Sequence, residues 1–212
     1  MVKGDLESYM KKFDCNDDQI KKTLEMFKGA EEITGLAFDD ILDGIDFKPN
    51  DYKKESLEAF LAELRVIFFL NNIDGKEIIP IASNNKDKSP DFSFSINKAK
   101  FIAEVFCATA EKSESKDEHV GAYILPYGKF VEYYCYIAEK KKEQLDAITD
   151  VKKFLICVLN DFPYSRLYCR KDYENFLKEI VEKLNWGSDY YFSIVTGLKS
   201  NGEDDDIIYP VV

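Results

Sequence analysis

The segment KKFLICVLND, Lys152 to Asp161, is apolar without interruption from Phe154 to Leu159. A strand with one face in water alternates apolar and polar residues, so an unbroken run of this kind belongs to a strand covered on both faces. Other layers of structure must therefore lie above and below it, and the rest of the chain has to supply them.

From Glu55 to Asn71 apolar residues recur at Leu57, Phe60, Leu61, Leu64, Ile67 and Phe68, the spacing of a helix with a buried face. Candidate strands follow at Glu77 to Ala82, Asp91 to Ile96 and Lys100 to Cys107, the last two joined by a tight turn at Asn97 to Ala99. A polar loop, Glu111 to Glu118, precedes a long helix from about Lys129 to Ile148. After the apolar strand come a helix from Tyr173 to Leu184, a strand at Tyr190 to Thr196 and a last short strand in IIYPVV. Helix, three strands, helix, strand, helix, strand predicts an α/β (α+β) layer fold, a mixed central sheet flanked by helices.

Residues 1–54 read as a helical extension to that core, which then occupies 55–212. A first helical segment lies around Leu6 to Phe13, and a second runs from Asp17 to about Lys28, capped by Asn16 and ended by Gly29. The short segment LAFDDILDGI follows, and KPND, Lys48 to Asp51, marks the break before the core.

The chain has 212 residues, enough for one core with an appendage. With 45% hydrophobic and 14% aromatic residues it is not a disordered sequence. No apolar run approaches the roughly 20 residues of a membrane span, and MVKGDLESYMKKFD lacks the apolar stretch of a secretory signal, so a cytoplasmic protein is expected. Five cysteines without a CxxC pair read as reduced, buried thiols. A Ser/His/Asp triad could be built only around His119, the sole histidine, which sits in the polar stretch EKSESKDEHVG and reads more simply as a solvated loop residue. Forty acidic against 29 basic residues leave a net charge of −11, so any attraction to nucleic acid must come from a local basic patch.

Glu104 is the one charge in the run FIAEVFCA. Strand alternation places Ile102, Glu104 and Phe106 on one face and Phe101, Ala103, Val105 and Cys107 on the other. A buried carboxylate costs several kcal/mol unless it is paired, protonated or bound to a metal, and Asp91, across the expected hairpin, is the nearest candidate partner. Two carboxylates on neighbouring strands suit Mg²⁺ or Mn²⁺. At 100° per residue, Glu63 falls inside the apolar arc of its helix, between Ile67 and Leu70, whereas Glu58 points outward beside Arg65. On the long helix Tyr134, Ala138, Val131, Leu145 and Ile148 define the apolar face. Lys141 falls between Leu145 and Ile148, Gln144 sits at the edge near Ile137, and Lys140 and Glu143 point outward. Lys141 is thus either a lysine that snorkels to the rim, a buried partner for Glu104, or a group reaching a metal site.

Taken together, the helix LAELRVIFFL with its inward glutamate, a strand, SPDF, a hairpin and a strand ending in AEVF, followed by helix, apolar strand and helix, resemble the PD-(D/E)XK nuclease superfamily over roughly Ser56 to Thr196. The family's proline and aspartate match Pro90 and Asp91, its second acidic residue matches Glu104, and its helix glutamate matches Glu63. The motif lysine would fall at Phe106 and is absent. Some members carry it on the following helix, where Lys141 lies here, and others have lost activity.

The resemblance implies a restriction endonuclease-like three-layer core and metal-dependent hydrolysis of phosphodiester bonds in DNA. Asp91 and Glu104 would ligate Mg²⁺ or Mn²⁺, Glu63 would complete or orient the shell, and Lys141 would position or polarise the attacking water. Gln144, Lys140 and Lys142 are the expected nucleic-acid contacts. Lys141, Lys152, Lys153, Arg166, Arg170 and Lys171, with Tyr164 and Tyr168 interleaved, extend the candidate phosphate-binding surface. Two other classes stay open: an inactive domain of the same fold that binds a protein or nucleic acid, and an acidic immunity or inhibitor protein facing a basic partner. A homodimer stays open as well; a membrane partner is not expected.

Overall fold

The computed structural model describes residues 3–45, 47–51, 53–82, 89–108, 127–159, 170–196 and 207–209. The loop 111–118, His119, Tyr164, Arg166 and Tyr168 lie outside them. The chain divides into two compact units, Met1–Ile102 and Ala103–Val212. The break expected at KPND falls inside the first.

The first unit holds α1 (Lys3–Lys11), α2 (Asp17–Thr34), α3 (Phe38–Gly44), α4 (Lys54–Asn72), β1 (Lys76–Pro80), β2 (Phe92–Ile96) and the beginning of β3 (Ala99–Ala108). Asn16 caps α2 as expected: its side chain accepts from the Gln19 N–H at 2.9 Å, and the Gln19 side chain accepts from the Asn16 N–H at 2.9 Å. That reciprocal box satisfies two N–H groups that the helix cannot, and Asp17 and Asp18 add favourable charge in the first turn. The helix does not stop at Gly29. It runs to Gly35, whose φ of 72° is the left-handed conformation that ends helices and whose N–H bonds the Glu31 carbonyl at 2.8 Å. Gly29 serves close packing instead, since a Cβ there would stand 2.9 Å from the Phe68 ring of α4.

α4 is buried on a wider and shifted arc relative to its spacing, with Leu61 and Phe68 only half-buried. Leu57, Phe60, Leu64, Ile67 and Leu70 are inside, and so are Ala62, Val66 and Phe69, because α4 packs on both α2 and β1. The helices α2 and α3 also pack on β1. α3 ends so close to that strand that a Cβ on Gly44 would meet the Pro80 ring at 2.8 Å and the Pro80 carbonyl oxygen at 2.9 Å. The N-terminal helices thus pack on β1, the terminal strand of its sheet. β1 pairs antiparallel with β2 and carries one extra residue between Lys76, opposite Ser95, and Ile79, opposite Ser93. Glu77, at φ 53°, absorbs that bulge. Asn97 and Lys98, at φ 50° and 69°, form the two-residue turn from β2 into β3, the hand that matches strand twist in a hairpin.

The second unit holds the rest of β3, then α5 (Tyr127–Asp146), β4 (Lys152–Leu159), α6 (Arg170–Leu184), β5 (Tyr190–Thr196) and β6 (Ile207–Tyr209). β4 and β5 run parallel, in register from Lys153 opposite Tyr190 to Leu159 opposite Thr196, and α6 is the crossover that parallel pairing requires. β5 and β6 are antiparallel, so the sheet is mixed. Every residue from Phe154 to Leu159 is buried, as the unbroken apolar run requires. One face of β4 and β5 presents Leu155, Cys157, Phe192 and Ile194 to a core shared with Tyr134 of α5 and Phe176 of α6. Tyr134 is fully buried, and its hydroxyl donates to the carbonyl oxygens of Leu155 at 3.0 Å and Ser193 at 3.2 Å. Burial pushes that phenol far above its usual range, so it stays a neutral donor bracing α5 to both strands. The mixed α/β class and the element order agree with the sequence. The ends move by a few residues: α5 spans Tyr127–Asp146 instead of 129–148, and β1 spans Lys76–Pro80 instead of 77–82.

Candidate functional site

Glu104 lies in mid-strand on β3 with its side chain 0% exposed. Ile102 and Phe106, which share its face of the strand, are buried and apolar and offer it no polar partner. Its compensation comes from α5. The Lys141 ammonium lies 2.6 Å from Oε2, and the Gln144 amide nitrogen donates to Oε1 at 3.2 Å. Three residues apart on a helix, Lys141 and Gln144 share a side, so one turn of α5 supplies a donor to each oxygen. The Lys141 side chain is 27% exposed and runs from the carboxylate toward water.

Two residues further along β3, Phe106 meets a different part of the same helix. Its ring packs edge-on to Tyr134, centroids 5.0 Å apart, and at 6.5 Å to Tyr133. Tyr134 and Lys141 are seven residues apart, two helical turns on one stripe. The stripe therefore covers Phe106 with rings at one end and Glu104 with an amine at the other. Position 106 is inside an aromatic core, where an ammonium would be stranded. The cation that neutralises Glu104 comes instead from the helix end that reaches solvent.

The expected nucleic-acid contacts divide. Gln144 turns inward to Glu104. Lys140 is exposed, its ammonium 4.0 Å from the centroid of the exposed Tyr136 ring. Lys142 pairs with Asp146, which also accepts from the Tyr190 hydroxyl and lies 3.4 Å from the Lys153 ammonium. Partial burial pulls the Asp146 carboxyl upward, but hydrogen bonds from Lys142 and Tyr190 and the Lys142 charge outweigh it and hold the group below its usual range. The hydrogen bond to Asp146 in turn raises Lys142. Lys142 also lies 5.4 Å over the Trp186 ring, so the group ties the end of α5 to the start of β5.

Asp91 and Glu63 are residues of the first unit. Asp91 is half-buried just ahead of β2, and its carbonyl oxygen accepts from the Ile81 N–H at 2.8 Å. Glu63 is half-buried on α4 between Ala62 and Leu64. The structure thus brings Glu104, Lys141 and Gln144 together, and the two remaining carboxylates belong to the other unit.

Among the described residues, no group of three or more His, Cys, Asp or Glu side chains is arranged to hold a metal ion. Mg²⁺ and Mn²⁺ take several oxygen ligands, and of these the second unit's cluster offers the Glu104 carboxylate, whose Oε1 and Oε2 already accept from Gln144 and Lys141. The described thiols are free, and Cys157 is buried as expected, whereas Cys15, Cys107 and Cys135 are only half-buried. Burial raises Cys15 and Cys135 above the usual thiol range, which keeps them poor nucleophiles.

Two features escaped the sequence reading. Gln144 was placed correctly at the edge of the apolar face, and its spacing from Lys141 was the signal that it serves the same carboxylate. The cluster of Asp146 and Lys153 is completed by Tyr190, which is distant in the chain and left no local signal. No protein-family model, curated protein or solved structure matches the chain.

Proposed function

We propose that this chain is a metal-dependent nuclease with a restriction endonuclease-like core, hydrolysing phosphodiester bonds in DNA, and that Lys141 of α5 replaces the lysine its hairpin lacks at Phe106. The observation that carries this reading is the 2.6 Å contact between the Lys141 ammonium and Glu104 Oε2. The pairing of a strand carboxylate with an amine, which the family's motif builds from two positions of one strand, is rebuilt here between a strand and a helix.

Glu104 and Asp91 are the ligands this reading assigns to Mg²⁺ or Mn²⁺, with Glu63 supporting them. When bound, such an ion supplies Lewis-acid activation and neutralises charge on the phosphate. Lys141 Nζ donates to a water or a phosphate oxygen beside Glu104, holding the attacking group in place and opposing the negative charge that develops there. Gln144 keeps Oε1 engaged, so the carboxylate plane is fixed while the amine works on the Oε2 side.

Cleavage of plasmid and branched DNA in Mn²⁺ tests the reading. Lys141→Met should lose about 10² to 10³ in rate, the usual value of one charged donor at a developing anion, and Glu104→Gln and Asp91→Ala should abolish turnover. Wild-type rates in Lys141→Met would sink it.

A second reading has its own observation. With Lys141 and Gln144 on its two oxygens, Glu104 already has the hydrogen bonds a buried carboxylate needs, so the trio also suits an inactive domain that binds nucleic acid or protein. The double change Glu104→Leu, Lys141→Met separates the two readings: a structural ion pair replaced by apolar groups leaves stability and binding near wild type, whereas a nuclease loses its activity.

A further inference from the structure

We infer that Tyr136 is a stacking platform for an unpaired base of single-stranded DNA, with Lys140 beside it holding a neighbouring phosphate. The inference rests on the nuclease reading above for the strand being a substrate. It adds the substrate class: DNA with unpaired bases near the bond that is cut.

Three observations converge on it. Tyr136 is 58% exposed, and among the described residues its hydroxyl bonds nothing and its ring meets no other ring. By contrast Tyr9, Tyr133, Tyr134, Tyr173, Tyr190 and Tyr191 each pack on another ring or bond through the hydroxyl. Tyr136 is thus the phenol that packing does not use. Of the three consecutive lysines on α5, Lys141 pairs with Glu104 and Lys142 with Asp146, whereas Lys140 makes no ion pair among the described residues. Its ammonium, 4.0 Å from the centroid of the Tyr136 ring, is the charge left for a phosphate, and it stands at that ring. Tyr136, Lys140 and Gln144 are spaced four residues apart, so they form one ridge of the helix, and the ridge ends at Gln144, which bonds Glu104. The ring lies about 12 Å along the axis from Gln144, a few nucleotides of one strand. A cation beside an open aromatic face suits a single strand: the phosphate meets the charge and an unpaired base stacks on the ring. Bases inside a duplex already stack on one another and cannot reach it.

The test is fluorescence anisotropy of the full chain with a labelled single-stranded oligonucleotide, an abasic strand of the same length, and the matching blunt duplex. Low salt strengthens binding, and chelator keeps the strands uncut. Wild type should bind the single strand at least about tenfold tighter than the abasic one, the usual value of one stacked base. Tyr136→Ala should lose about tenfold or more on the single strand and little on the duplex, while Tyr136→Phe should bind as wild type does. Lys140→Gln should weaken binding to all three and flatten its salt dependence. Both side chains are exposed, so the thermal midpoints of these variants should match wild type. Single-strand affinity unchanged in Tyr136→Ala overturns the inference and leaves Tyr136 and Lys140 as a helix-surface pair. Equal losses on single strand and duplex overturn it too, as does equal wild-type affinity for the normal and abasic strands. In each of these cases plasmid cleavage that depends on Lys141 would leave the nuclease reading standing. Tyr136-dependent binding of the single strand by a wild type that cuts no DNA in Mn²⁺ keeps the stacking site and removes the nuclease reading.

Discussion

A carboxylate with no exposed surface survives in a core only if both of its oxygens find donors, and at Glu104 both donors come from one turn of α5. Two residues away, Phe106 is packed with equal specificity against Tyr134 and Tyr133. This pair of positions is why a lysine cannot simply be restored. Phe106→Lys would bury an ammonium among rings while Lys141 keeps its place on Glu104. We expect it to destabilise the fold by roughly 3–5 kcal/mol, the scale of a large core truncation or an unpaired buried charge, and to raise activity not at all. Urea unfolding monitored by circular dichroism, beside a plasmid cleavage assay, checks both halves. A stable and faster Phe106→Lys protein would show that Lys141 is not the replacement. The inward placement of Glu104 and Lys141 was legible from strand and helix periodicity. Their contact was not, because periodicity assigns a side chain to a face and says nothing of what lies opposite.

At the scale of elements, α5 organises the second unit. Its middle is braced by Tyr134 to the carbonyls of β4 and β5. Its end is tied to the start of β5 through Asp146, Lys142, Lys153 and Tyr190. The Asp146 carboxyl is held below its ordinary value of 3.8, so the folded state favours its charged form. As pH falls, the unfolded chain takes up that proton first. The stabilisation is therefore complete above the ordinary value and disappears as pH drops below it through the lowered folded value. Asp146→Asn should accordingly lower the urea midpoint at neutral pH, with a difference from wild type that shrinks as pH falls below the ordinary carboxylate range. A difference independent of pH would place the stabilisation in packing instead. The lysines of this cluster were legible as basic residues but not as members of an ion group. Their carboxylate lies four residues after Lys142 and seven before Lys153, whereas Tyr190 arrives only by way of the crossover through α6.

The whole chain carries a net charge of −11, which repels a polyanion. In the nuclease reading, binding of DNA must then depend on bound dications and on a small number of lysines such as Lys140, exposed on the outer face of α5. Chelation should abolish DNA cleavage, and Mn²⁺ should restore it. At fixed metal, binding should weaken with salt along a slope set by only a few phosphate contacts. Fluorescence anisotropy with labelled duplex, with and without chelator, measures both. DNA binding in chelator that equals binding in Mn²⁺ would instead favour an inactive nucleic-acid-binding domain.

The amino-acid order alone settled the class of fold and the address of each element, because those follow from local chemistry: an unbroken apolar run for a covered strand, a 3.6-residue period for a helix face, and Asn16 for a helix start. It settled, too, that Glu104 would be buried and needed a partner. Which partner it has, why Phe106 cannot be a lysine, that α2 runs through Gly29 because Phe68 packs there, and that the N-terminal helices pack on β1 were decided only in three dimensions. Each of these depends on two segments distant in the chain meeting at one point, and the free energy of such a meeting is set by the shape and charge of both surfaces together.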